Sequence, residues 1–199
     1  CIITVKSEKA ANRVMQSITK FIEKKLGLKV NATKSKVARP KDIKFLGFGF
    51  YYDKEDRIRP KSHLKSVQKF NRKLKSLTKR KWSISIYTRI TKLNQVIRGW
   101  INYFRIADMK GIMTSISQHL RRRLRCIIWK QWKSCKTRII NLRKLGIDLE
   151  HAKRTAYSRK RLWNTSLTPA LHIGIFNMRL KQKGLVFPLD HYLKVHTTI

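Results

Sequence analysis

Apolar residues recur every three or four positions through most of this chain, a spacing that predicts a mainly helical protein. Ser7 stands where a cap belongs, ahead of Ala11, Val14, Met15, Ile18, Phe21, Ile22 and Leu26 on one helical face, and Gly27 supplies the stop. From Lys61 onward the helical period is unbroken. Leu64, Val67, Phe70, Leu74 and Leu77 form one stripe. Ser85 can start a second helix, to about Ala107, that buries Ile90, Leu93, Ile97, Trp100, Ile101 and Phe104. A third begins near Gly111 and carries Ile112, Ile116, Leu120, Leu124, Ile127 and Ile128. Amphipathic helices joined by short loops should form a small antiparallel bundle. Beyond it, 137–145 reads as a short helix stopped by Gly146, and Asp148 caps another to about Ser158. Arg161-Leu162-Trp163 reads as a connector, Thr168-Pro169 opens a helix through Lys181, Gly184 ends it, and Pro188 starts a terminal turn.

Two stretches have a different period. Residues 1–5 read as a strand, and 28–31 as extended chain leading through Lys34-Ser35-Lys36-Val37 to a break at Arg39-Pro40. Residues 45–52 alternate aromatic with small residues, 53–56 make a polar turn, and Arg57-Ile58-Arg59 runs back, which is a hairpin, and Pro60 closes this region. The fold class expected is therefore α+β. A small unit of strand, helix and β-hairpin occupies 1–60, a three-helix bundle 61–135, and a further helical part 136–199.

Charge changes the picture most. The 199 residues hold 48 Lys plus Arg against 10 Asp plus Glu, a formal net charge of +38. Self-repulsion on that scale calls for a polyanionic partner. With 42% hydrophobic residues and five Trp, the chain is too apolar for an unfolded polycation. Asp108 is the one acid between Arg57 and Asp148, so the basic residues there have almost no carboxylates to pair with. No apolar run approaches the roughly 20 residues a membrane span requires. Cys1, Cys126 and Cys135 form no metal-ligand pattern, and Cys126 reads as a buried thiol. His119, His151, His172, His191 and His196 have no ligand spacing and read as structural or solvated. Trp82, placed between helices, is the better indole for stacking on a base, whereas Trp100, Trp129 and Trp132 belong to apolar stripes. The absence of an initiator Met and the opening strand suggest the back part of a longer protein.

The order of motifs resembles the C-terminal part of group II intron-encoded reverse transcriptases, also called maturases. Leu26-Gly27-Leu28-Lys29-Val30-Asn31, Lys34-Ser35 and Phe45-Leu46-Gly47-Phe48 are similar to the end of the polymerase palm. Ile97-Arg98-Gly99-Trp100-Ile101-Asn102-Tyr103-Phe104, then Leu120-Arg121-Arg122-Arg123-Leu124-Arg125 and Trp129-Lys130-Gln131-Trp132, look like the thumb and maturase X domain. Trp163, 167–171 and Gly184-Leu185 resemble the last part of bacterial members, so the likeness spans essentially the whole chain.

The resemblance implies an RNA-directed DNA polymerase that also helps its intron RNA splice and reinsert by target-primed reverse transcription. Its paired metal-binding Asp residues would lie upstream of Cys1, so Mg2+ is implied only for the complete enzyme and the present chain alone is expected to be inactive. Lys34 matches a palm lysine that can approach the incoming triphosphate, and Phe45, Leu46, Gly47 and Phe48 match the primer grip, where Gly47 would let a sugar–phosphate backbone come close. A plain hydrophobic hairpin packed under the thumb is the alternative for those four, and a solvated surface lysine for Lys34. Contacts to nucleic acid are expected from Lys65, Lys69, Arg72, Lys73 and Lys75, from Arg98 and Asn102, and from Arg121, Arg122, Arg123, Arg125 and Lys130. Implied partners are the structured intron RNA, an RNA template with its DNA primer, target DNA, and the upstream fingers and palm of the same protein, in a cytoplasmic and bacterial setting. A basic RNA-binding protein without enzymatic activity, or a domesticated splicing maturase, is the alternative.

Overall fold

The computed structural model describes residues 2–196. Helix α1 spans Glu8–Leu26. Ser7 Oγ accepts from the Ala10 N–H at its start, and Gly27, at φ 60°, ends it in the left-handed conformation that favours glycine. A hairpin follows, β1 at Phe48–Tyr52 and β2 at Ile58–Ser62, paired antiparallel from Phe48↔Ser62 to Tyr52↔Ile58. Three long helices come next: α2 (Leu64–Leu77), α3 (Ile86–Tyr103) and α4 (Lys110–Gln131). Six shorter helices complete the chain: α5 (Cys135–Lys144), α6 (Leu149–Ala156), α7 (Leu162–Thr165), α8 (Pro169–Gly174), α9 (Asn177–Gln182) and α10 (Pro188–Val195). The protein is α+β and mainly helical. Among the described residues no helix is long and apolar enough to cross a membrane.

One core runs through the bundle. Val67, Phe70 and Leu74 of α2, Leu93, Ile97 and Ile101 of α3, and Met113, Leu120 and Leu124 of α4 meet there, almost wholly shielded from water. Trp100 lies parallel to Phe70, ring centroids 4.4 Å apart, and ties α3 to α2. The last helix belongs to this core as well: the Tyr192 hydroxyl donates to the Ala107 carbonyl (3.1 Å) and accepts from the Met109 N–H (3.2 Å), holding the α3–α4 corner. Asn94 in α3 donates to the Gly184 carbonyl and accepts from the Val186 N–H.

The hairpin docks on the end of α3. Phe48 packs on Phe104, centroids 4.8 Å apart, and the Tyr103 hydroxyl donates to the Leu46 carbonyl at 2.9 Å. Asp108 clamps it from the other side, accepting from the Tyr51 hydroxyl at 2.6 Å and lying 3.5 Å from Arg59. Its backbone N–H also donates to the Pro60 carbonyl. By contrast, α1 has no buried residue, and Phe21 and Leu26 on its apolar side are more than half exposed.

Five sequence expectations change. Residues 2–5 form no strand and are exposed, because a strand needs a neighbour and none of the described residues supplies one; Cys1 lies outside the described residues. Residues 28–31 likewise pair with nothing. Pro60 sits inside β2 opposite Phe50, where a two-stranded ribbon leaves an edge that tolerates a residue without an N–H. The helix expected through Lys181 breaks after Gly174, and the connector at 161–163 runs into the short helix α7. Pro188 opens the eight-residue α10 rather than a turn.

Candidate nucleic-acid interface

On α2 the spacing of apolar residues decides where the cations point. Val67, Phe70, Leu74 and Leu77 face the core, so Lys65, Lys69, Arg72 and Lys73, at successive intervals of four, three and one, share the outer side, with Lys75 beside them. All five are exposed, and no ion pair among the described residues involves them. Asp108, the one acid between Arg57 and Asp148, is already engaged with the hairpin. Lys79, Arg80 and Lys81 continue the exposed basic surface past the helix end. On α3, Arg98 and Asn102 are exposed, and Asn102 Oδ1 meets His191 Nε2 at 2.9 Å.

The arginines of α4 behave otherwise. Arg123 donates to the Lys75 and Thr78 carbonyls (both 3.0 Å) and to the Thr78 hydroxyl, closing the C-terminal end of α2. Arg122 lies 3.8 Å over the Trp163 ring and donates to that residue's carbonyl. Arg125 is buried, with Nε on the Ile175 carbonyl at 3.2 Å, and Arg121 donates to Asn177 Oδ1 at 2.9 Å. Lys130 is exposed and reaches the Arg80 carbonyl. Burial pushes the pKa of Arg123 and of Arg125 down, but guanidinium remains charged and takes carbonyl oxygens as partners. Arg123 is thus a structural cap, not a free phosphate contact.

Arg89 was not singled out by the sequence. It is fully buried, lies on Trp82, and donates to the carbonyls of Leu77, Lys79 and Trp82 around the α2–α3 loop. Its position on an apolar stripe gave no sign of this. Trp82, flanked by Arg89 and by Lys92 at 5.3 Å, is packed against the core and only partly accessible.

In the hairpin approach, Phe45 and Leu46 are exposed, with Leu46 at 66%, while Phe48 is turned onto the helices. Gly47 has φ 86°, and a Cβ there would meet Ser66 Oγ at 3.0 Å and Phe104 Cζ at 3.1 Å. The protein itself fills the space beside Gly47, and Ser66 and His63 donate to its carbonyl. The glycine is required by hairpin–helix packing, which replaces the expected approach of a sugar–phosphate backbone at that atom. Lys34 is exposed at a turn built by Asn31, whose Oδ1 accepts from the Lys34 N–H. Among the described residues no group of His, Cys, Asp and Glu side chains is gathered to hold a metal. Cys126 is buried, its thiol directed at the Leu162 carbonyl.

Residues 67–146 match the family model described as group II intron, maturase-specific domain. This stretch is similar to a maturase-specific domain. It begins on α2 and ends at Gly146, the positive-φ residue that stops α5, so the exposed cations Lys69, Arg72, Lys73 and Lys75 and the arginines of α4 all lie within it. No curated protein matches the chain. Residues outside the matched stretch include the hairpin, which packs on it, and α7–α10, which cover α4 and the α3–α4 corner. Sequence reasoning missed Trp163, Gln118, His119, His172 and Phe176, which line a cleft beside α4. The unbalanced charge of the Arg121–Arg123 run was the signal that pointed there.

Proposed function

We propose that this chain is the RNA-binding C-terminal part of a group II intron-encoded reverse transcriptase and that its maturase-specific domain grips the intron RNA through the outer face of α2. The observation that carries this is the acid-free, exposed row of Lys65, Lys69, Arg72 and Lys73 on α2, the last three inside the matched stretch. Lysines free in water make phosphate contacts that give affinity and register without reading bases, which suits a folded RNA recognised by shape and backbone. In this reading 1–60 is the end of the palm, 61–135 the thumb and maturase bundle, and 136–199 the rest of the maturase domain. The hairpin apex at Phe45 and Leu46 would face the primer end, with Lys34 toward the incoming nucleotide. The residues present do not fit Mg2+, so its ligands are assigned to a fingers and palm segment outside this chain, and so is the copying of RNA at a nicked DNA target.

Two measurements test the proposal. Filter binding of a structured intron RNA should weaken about 10³–10⁵-fold between 50 and 200 mM salt, the drop for roughly 6–10 neutralised phosphates. A slope near zero would mean that the charge faces solvent. Primer extension with the purified chain should give no incorporation, and incorporation would place the active site within it.

A further inference from the structure

A cleft of about 720 Å³ opens between α4 and the α7–α9 segment. That is within the range of about 300–1,000 Å³ for small-molecule sites. Three guanidiniums line it and no carboxylate does. Arg125 is the most informative, being only 5% exposed with Nε alone engaged, on the Ile175 carbonyl. Its two terminal nitrogens have no partner within the protein and are not among its buried unpartnered atoms, so they stay open to the cleft that Arg125 lines. The fork they present matches two oxygens of a phosphate. Arg121, held by Asn177, stands one turn earlier on the same side of α4.

The rest of the lining is aromatic and apolar. Trp163 is locked under Arg122, whose guanidinium lies 3.8 Å from the ring centroid and bonds the Trp163 carbonyl as well. His119 lies 5.6 Å from the same indole, and Phe176 and Leu167 line the cleft while remaining 43% and 51% exposed. His172, desolvated and facing Arg125 and Arg121, has its pKa lowered, as has His119, desolvated and near Arg123, Lys75 and Arg122. A neutral imidazole keeps one donor and one acceptor for a polar edge. Cations for a phosphate beside stacked planes for a ring describe one ligand, and a base paired in a duplex cannot leave its stack to enter.

We propose that this cleft holds an unpaired nucleotide of the RNA, its phosphate on Arg125 and Arg121 and its base against the Arg122–Trp163 stack. This rests on RNA being the partner of the chain. The α2 row then supplies general affinity, and the cleft selects RNAs that offer an extruded base.

The test uses the full chain and an RNA hairpin carrying one bulged 4-thiouridine, with a fully paired hairpin and a bulged DNA hairpin beside it. Photo-crosslinks should map to peptides holding Trp163, His172 or Phe176, and the bulged RNA should bind more tightly than the paired one. Trp163→Ala should weaken the bulged RNA by roughly 5- to 150-fold, the range for losing one base–aromatic stack, and leave the paired hairpin unchanged. If Trp163→Ala melts early, Phe176→Ala and His172→Ala, at exposed positions, decide the matter by the same difference. Crosslinks elsewhere, or equal losses on both RNAs, overturn the cleft. Equal preference for bulged DNA overturns the commitment to RNA. Equal wild-type binding to both RNA hairpins with a steep salt slope removes the cleft and leaves the α2 reading intact; no RNA binding at all removes both.

Discussion

Helices α2 and α4 carry comparable basic runs, yet the structure puts them to different work. The cations of α2 are mostly lysines set opposite a narrow apolar stripe, and they stay in water. Those of α4 include arginines at consecutive positions, so they point around a helix that is covered on several sides, by α7 and α10 among others. Where no carboxylates exist, a guanidinium can bond the orphan carbonyls that end helices and fill the negative end of their dipoles. Arg123 does this for α2, Arg89 for the loop after it, and Arg179 for the end of α8, with 2.8 Å to the Gly174 carbonyl. A count of basic residues is therefore not a count of phosphate contacts. The lysine row is the better measure.

The comparison breaks first at Arg89. Arg89→Met should remove three carbonyl bonds inside the bundle and lower stability by roughly 2–5 kcal/mol, read as a thermal melt. An unchanged melt would mean that buried arginines do not hold α2 in place. Next, Lys65, Lys69, Arg72 and Lys73 all changed to Gln should cut RNA affinity by about two orders of magnitude near 100 mM salt and lower the salt slope by about 3–4, with circular dichroism unchanged. An unaltered slope would move the RNA to another face. Arg123→Lys is a subtler discriminator. Keeping the charge but losing the planar fork should cost about 1–2 kcal/mol of stability with RNA binding intact. A loss of binding without a loss of stability would return Arg123 to the interface.

The smallest effect concerns acid. The Arg57 backbone N–H, with those of Glu55 and the side chains of Arg57 and Arg59, holds the Asp53 carboxyl at about 2, below its usual 3.8. A depressed carboxylate gives its turn stability above the usual value and loses it as pH falls through about 2. Amide shifts at 53–59 should therefore move near pH 2. Movement of the turn near pH 4 would mean that the Asp53 bonds are absent.

Much of this was legible because it is local. Ser7, Ser85 and Asp148 each accept from a backbone N–H three residues on, and Gly27 and Gly146 turn left-handed where they were expected to stop helices. The exposed row on α2 follows from helical spacing alone. What escaped depends on distant partners. The helix across 169–181 breaks because Gly174 packs on Leu145 and the Ile175 carbonyl is drawn to Arg125, neither of which local periodicity reveals. Trp163 looked like punctuation until Arg122 was seen lying on it. The inward turn of Arg123 needed the end of α2 beside it, 45 residues earlier.

Tyr192 gives the molecule an order in time. A ribosome makes α2, α3 and α4 in succession, but the Ala107 carbonyl and the Met109 amide receive their partner only when a residue more than 80 positions later has emerged. Contacts of such long sequence separation close late in folding. During that interval a nascent bundle has an unlatched corner and a basic helix already exposed.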